Sequence, residues 1–341
     1  MKKTILLLLC VFLLGLPAFA GGGRAGGSGT APVELLWYTG GTGPQPDLET
    51  VLAELNKYTR EKINCTIRIV ESDFGSFPQR MQMVIASQEP FDICFTSNWC
   101  NDYISNVSKN AYLELDELLP KYAPDLYKLI PQAGWDAVKV NGHIYGVPNY
   151  QIWARAPAFA CEKQYLDQYG INVNSVKSYD DVESLLALIK KDYPGMYPYY
   201  AEQQDTALVL NIDTLIGSNI PGAIVMTDSS LKVVNQYELP ELQNLYRRMR
   251  DWNQKGYIKP DMAVIPDNYQ DVIDGKAPMG IGGTMKPGVE GEETAKRLGR
   301  ATAATAFTDA WLTTGGIIAT LNSVSRSSRH PEKAMEFLNL L

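Results

Sequence analysis

The chain has 341 residues, 45% hydrophobic and 20% charged, with 38 acidic against 31 basic side chains. It is too long for one comfortable hydrophobic core and is expected to divide into two lobes. Near-average composition excludes a disordered tail or a coiled coil. The acidic balance excludes sequence-independent nucleic-acid binding, which needs clustered Lys and Arg.

Lys2 and Lys3 precede an apolar stretch from Ile5 to Leu16, and Ala18-Phe19-Ala20 fits the small-x-small cleavage rule. That stretch is short for a membrane span, and Pro17 ends it. Residues 1–20 therefore read as a signal peptide. Its removal takes two lysines and no acids and leaves a net charge of -9. Cys10 follows Leu9 rather than a small residue, only five apolar residues after Thr4, which argues against lipid attachment. Residues 21–32, opening GGGRAGGSGT, form a Gly/Ser-rich linker of the kind that also follows lipid anchors. A free periplasmic or extracellular protein is the leading reading, and a membrane tether stays open. Cys65, Cys94, Cys100 and Cys161 contain no C-x-x-C and form no disulfide scaffold. Cys65, Cys94 and Cys161 lie in apolar strand-like runs, where cysteine behaves as a small hydrophobe.

From residue 33 onward the pattern is regular. Val33–Tyr38 reads as a buried strand. Leu48–Glu61 follows as a helix with Leu48, Val51, Leu52, Leu55 and Tyr58 on one face. Cys65–Val70 is the next strand, Phe77–Ser87 a helix, and Phe91–Phe95 a third strand. Apolar strands alternating with helices predict a parallel sheet with helical crossovers. Beyond Tyr112 come short helical pieces broken by Pro120, Pro124 and Pro131. A hairpin is then signalled by Asn141-Gly142 between alternating strands. Ala156–Cys161 is a strand, and Ser178 caps a helix with Asp181 at its third position. Glu241–Trp252 is a helix, and Met279–Gly283 and Gly316–Thr320 are late strands. The helix from Pro331 to Leu341 carries Ala334, Phe337, Leu338 and Leu341 on one face and is expected to pack on the second lobe. It ends without a capping residue, which reads as a chain cut before its natural end.

Catalytic motifs are scarce. His143 and His330 lie in separate elements, and neither H-E-x-x-H nor G-x-S-x-G occurs. Gly275-Lys276 is followed by Ala277, so the phosphate-loop lysine pattern fails, and Met285 stands where Gly280-Ile-Gly282-Gly283 would need its last dinucleotide-loop glycine. No carboxylate pair is picked out by spacing for glycoside hydrolysis. Binding is favoured over catalysis. Six Trp, nineteen Tyr and nine Phe remain, several beside turn residues. Aromatic faces flanked by amides suit sugars, whose C–H faces stack while hydroxyls hydrogen-bond. Trp37 and Trp252 read as packing residues. Trp99, Trp153 and Trp311 adjoin strand ends and are the better ligand candidates.

Four runs taken together carry a family likeness: Phe91-Asp-Ile-Cys-Phe-Thr-Ser-Asn-Trp99, Val140-Asn-Gly-His-Ile-Tyr-Gly-Val-Pro148, Gly275-Lys-Ala-Pro-Met-Gly-Ile-Gly282 and Pro331-Glu-Lys-Ala-Met-Glu-Phe-Leu338. The chain resembles the extracellular solute-binding proteins of ABC importers, in the broad branch containing the maltose-binding protein. The resemblance implies an α/β, two-lobed periplasmic-binding-protein-like fold with a hinge and an interlobe cleft, its C-terminal part missing. It implies hinge crossings near Pro148–Ala158, Ile281–Pro287 and Thr314–Leu321. Lobe one is expected to hold residues 33–150 and about 284–318, and an incomplete lobe two residues 151–283 and 319–341. The implied ligand positions are Gly41 and Thr42 after the first strand, and Thr96, Asn98 and Trp99 after the third. Asn149, Tyr150, Gln151 and Trp153 lie beside the hinge, with Trp311, Tyr199 and Gln203 farther along. The implied ligand is a small solute, a sugar or oligosaccharide, and the implied partners are ABC permease subunits. No cofactor, no metal, no nucleic acid and a monomer are expected. A secreted carbohydrate-active enzyme, and a binding protein for a non-sugar solute or a sensor partner, stay open as alternatives. N-terminal sequencing of the exported protein should begin at Gly21; a lipid-modified Cys10 at the mature terminus would contradict this.

Overall fold

The computed structural model describes residues 31–43, 45–154, 156–201, 212–215, 221–264, 269–285 and 298–341. The expected signal peptide and residues 21–30 of the linker lie outside the described residues. No helix among the described residues is long and apolar enough to cross a membrane.

The first lobe is built on β1 (Val33–Gly41), β2 (Cys65–Asp73) and β3 (Ile93–Thr96), joined through helices α1 (Leu48–Ile63) and α2 (Phe77–Ala86). β1 lies parallel between β2 and β3, with Val33 opposite Cys65 and Trp37 opposite Ile93. The inward face of α1 differs from the one its apolar residues suggest. Leu52 is buried and Leu55 packs on the core, whereas Val51 and Tyr58 are exposed. Polar residues decide this rotation, because β2 is a sheet edge whose backbone groups need partners. The Asn56 side chain donates to the Ile67 carbonyl at 3.0 Å and accepts from its amide at 2.6 Å, while Thr59 donates to the Cys65 carbonyl at 2.8 Å.

After a hairpin of β4 (Lys139–Val140) and β5 (His143–Ile144), Asn141 and Gly142 make the turn at φ 53° and 90°. The chain adds β6 (Val147–Pro148) to the first sheet and then crosses into the second lobe. There β7 (Ala156–Glu162) is central, flanked in the sheet by β12 (Met279–Met285) and β13 (Thr302–Ala306), both antiparallel to it. β8 (Tyr199–Tyr200) pairs outside β12, and β9 (Ile212–Asp213), β10 (Gly222–Val225) and β11 (Val233–Asn235) form a small separate sheet. Helix Tyr179–Asp192 starts at the expected Ser178–Asp181 capping box and buries Val182, Leu185, Leu186 and Ile189. Helix Pro240–Gln254 completes this core with Leu242, Leu245 and Trp252.

The last third of the chain is apportioned differently from the sequence expectation. β12 and β13 both pair with β7, so the strands on either side of residues 286–297 belong to the second lobe; Ile281–Met285 of the expected crossing is part of β12, and Lys286 and Pro287 lie outside the described residues. The return to the first lobe comes after Ala306. Residues 316–320 form no strand: Thr313 caps a short helix, Thr314–Ile317, by accepting from the Gly316 amide at 3.0 Å. The strand is β14 (Leu321–Val324), antiparallel to β3 and to β6 in the first sheet. Helix Pro331–Leu340 packs on the first lobe rather than the second. Ala334, Met335, Phe337 and Leu338 are buried there, and Phe337 meets the Trp37 ring edge-on at 5.8 Å. Two polar ties fix its ends: Lys333 donates to the Ile63 carbonyl at 2.9 Å, and Asn339 accepts from the Asp125 and Leu126 amides, both at 3.0 Å.

Because Phe337 is fully buried, Phe337→Ala should cost about 3–5 kcal/mol. Hydrogen exchange should show that loss of protection in β1, β3 and β14 and not in β7 or β12. Deprotection confined to the second lobe would contradict this placement of the helix.

Candidate functional site

The carboxyl ends of β1, β2 and β3 come together on one side of the first lobe, where open α/β sheets hold ligands. The loop after β3 is fixed by buried polar groups. Thr96 Oγ1 donates to the Asn101 carbonyl, and Ser97 Oγ donates to the Cys100 carbonyl at 2.8 Å while accepting the Cys100 amide at 2.7 Å. Asn101, at φ 54°, donates to the Phe95 carbonyl at 2.7 Å, and Asn106 donates to the Asn101 side chain at 2.8 Å. This network leaves Asn98 and Trp99 at the tip.

Trp99 is 58% exposed, although its position is fixed. Its indole N–H donates to the Ala319 carbonyl at 2.8 Å, and its ring tilts against Phe74 at 5.1 Å and Phe95 at 6.0 Å. Phe74 can lie over β1 because Gly40 has no side chain; a Cβ there would come within 2.8 Å of the ring. An anchored aromatic with open surface can stack on a ligand without losing much rotamer freedom.

The two crossings among the described residues run side by side. The Asn149 amide donates to the Thr320 carbonyl at 3.0 Å, and a Cβ on Gly316 would sit 3.1 Å from the Trp153 carbonyl oxygen. Tyr150, 49% exposed, meets Trp153 edge-on at 5.4 Å.

A third element reaches the same region from the second lobe. Asn98 donates its side-chain amide to the Gly315 carbonyl at 3.2 Å. A Cβ on Gly315 would lie 3.5 Å from that amide nitrogen, 3.7 Å from the Leu215 carbonyl oxygen and 3.9 Å from Asp213 Oδ1. Asp213 ends β9 and Leu215 follows it, so Gly315 is where the lobes face each other. Asp213 is half-buried, and burial raises its carboxyl pKa, partly opposed by the Leu215 amide that donates to Oδ1 at 2.9 Å.

A family model described as bacterial extracellular solute-binding protein matches residues 42–341. This chain belongs to that family. The solute-binding chain is 30% identical over 323 residues to a carbohydrate ABC transporter substrate-binding protein of Streptococcus pneumoniae serotype 4, covering 93% of this chain. It spans 63% of the length of that relative. Among solved structures it is similar to the N-glycan transport solute binding protein of Streptococcus pneumoniae. The complex of that protein with Man1GlcNAc matches at a TM-score of 0.79 and 27% identity, covering 90% of this chain and 67% of the other. The complex with Man5GlcNAc matches at 0.77 and 28%, covering 91% and 66%.

The positions expected from sequence scatter more widely than one site. Asn98, Trp99, Asn149 and Tyr150 gather near the crossings. Thr42 is exposed at the end of β1 and accepts from Gln45 at 2.9 Å, and Gly41 lies under the Glu71 carboxylate. Thr96 is fully buried, with its hydroxyl turned into the loop. Trp153 is only 7% exposed; its N–H donates to the Asn149 carbonyl at 2.8 Å and its ring packs on Gly134 and Ile130. Gln151 and Trp311 are half-buried on the two crossings. Tyr199 is buried in the second core, edge-on to Trp252 at 5.0 Å. It lines a cavity of about 700 Å³ at the end of β7 remote from the crossings. Gln203 lies outside the described residues.

Asp213 had no sequence signal beyond its position between Ile212 and Thr214 in an apolar run. Among the described residues Cys65, Cys94, Cys100 and Cys161 are all free and buried. Burial pushes the Cys94 and Cys161 thiols up to about 12 and Cys100 to about 11, so they stay protonated. Among the described residues no group of three His, Cys, Asp or Glu could hold a metal ion.

Proposed function

We propose that this chain is the extracytoplasmic substrate-binding component of an ABC importer and binds a sugar or oligosaccharide between its two lobes. The observation that carries this reading is Trp99, anchored through its N–H and still more than half exposed at the carboxyl ends of the first sheet. Its ring offers an apolar face to the C–H side of a pyranose, and Asn98, Tyr150 and Asp213 supply hydrogen-bonding groups around it. Ligand contacts made from both lobes at once favour the closed arrangement, because only that state satisfies both sets. Permease subunits in the membrane are the partners that would read closure. The protein acts as a monomer without cofactor and without turnover. The carbohydrate names of its Streptococcus pneumoniae relatives support the ligand class.

The test is a melting-temperature screen of the purified chain against neutral sugars, uronic acids, polyols and peptides, with Man1GlcNAc among the sugars. A true ligand at about 100 times its Kd adds about 2.7 kcal/mol of stability. Trp99→Ala should weaken that ligand about tenfold or more while leaving the unliganded melting temperature within a few degrees. A peptide or polyol as the sole stabiliser, or hydrolysis of the bound glycan, would contradict the proposal.

A further inference from the structure

We propose that Asp213 is the second lobe's hydrogen-bond acceptor for ligand hydroxyls, and that its carboxylate restricts the cleft to neutral glycans. This rests on the sugar-binding reading above and adds a residue and a ligand charge to it. Asp213 is placed at the junction of the lobes: its Oδ1 lies 3.9 Å from where a Gly315 side chain would begin, and the Asn98 amide nitrogen lies 3.5 Å from the same point. A glycine there keeps the gap between the two polar side chains open.

The carboxylate is under-supplied with donors. Among the described residues its one hydrogen bond is from the Leu215 amide to Oδ1, and no Lys or Arg pairs with it. A half-buried carboxylate with a spare oxygen and no counter-ion gains from added donors, and paired sugar hydroxyls provide them. Leu215 holds its amide in place from a left-handed conformation at φ 61°. A leucine rarely adopts that conformation, and such strained residues cluster at ligand clamps.

Charge then decides which sugars fit. A uronic acid bound against Asp213 would bring a second negative charge into a partly desolvated space. A neutral glycan brings only donors and acceptors.

Calorimetric titration of the full chain with two disaccharides tests this: neutral mannosyl-GlcNAc and acidic glucuronyl-GlcNAc. Asp213→Asn keeps the side-chain size and the acceptor for the Leu215 amide. It should weaken the neutral disaccharide 10- to 100-fold and shift the neutral-to-acidic affinity ratio by a larger factor, which a merely structural residue would not do. Gly315→Val, made on the other lobe, should weaken the neutral disaccharide at least tenfold by filling the gap, and gives the answer if Asp213→Asn does not fold. Equal wild-type affinity for both disaccharides, or variant affinities all within twofold of wild type, overturns the proposal and leaves the sugar reading standing. A wild-type chain that binds neither disaccharide and no sugar of the screen overturns both.

Discussion

The pairing of β14 with β3 is the constraint on which the rest of the structure depends. Leu321 opposite Thr96 through Val324 opposite Ile93 returns the chain to the first sheet after the second lobe has been built. Antiparallel pairing at that register carries residues 315–319 past the tip of the β3 loop. Three hydrogen bonds follow. The Ile318 carbonyl accepts the Asn98 amide at 3.2 Å, the Ala319 carbonyl accepts the Trp99 indole N–H at 2.8 Å, and the Gly315 carbonyl accepts the Asn98 side chain at 3.2 Å. A strand that completes one lobe thus also positions its exposed aromatic and lays the return crossing against the outgoing one.

Two separate cores leave the interlobe angle to be set mainly at the crossings. The first core gathers around Tyr103, Tyr112, Leu115 and Phe337, and the second around Phe159, Leu185 and Trp252. Each lobe buries its own apolar residues, so a change of interlobe angle exposes little of either core and is resisted mainly at the crossings. The groups facing each other at Gly315 are polar: an amide, a backbone carbonyl and a carboxylate. Polar groups brought together around a polyhydroxylated ligand exchange water for ligand, whereas without ligand they gain nothing by leaving water. Ligand dependence of closure follows from that asymmetry.

Much of the first lobe was legible because its signals are local. The apolar runs Val33–Tyr38, Cys65–Val70 and Phe91–Phe95 alternate with helical periodicity, and Asn141-Gly142 specifies its own turn. What local pattern does not encode is which core an apolar element joins. Ala334, Phe337 and Leu338 form an inward face whichever lobe receives it, and sheet register assigns it to the first. Gly316–Thr320 is apolar enough to read as a strand, but the Thr313 hydroxyl captures the Gly316 amide and turns the backbone into a helix. In α1 the apolar pattern was overridden by Asn56 and Thr59 reaching a sheet edge. Among candidate ligand residues, Trp99 was legible as an aromatic beside a turn. Trp153 carried the same signal and is core, because Gly134 makes room for its ring. Asp213 belongs to no motif and acquires meaning only from the opposite lobe.

The central claim is that two independently packed lobes close on a ligand held between them. Pulsed electron-spin distance measurement tests it most directly, with cysteines introduced at exposed Lys57 on α1 and Lys191 on the second lobe and spin-labelled. Cys65, Cys94, Cys100 and Cys161 are buried, and with Cys10 replaced by Ser the introduced pair are the reactive sites. Adding a saturating glycan ligand should replace a broad distance distribution with a narrower and displaced one, and Trp99→Ala should demand more ligand for the same change. A distribution that stays the same at ligand saturation would contradict the account.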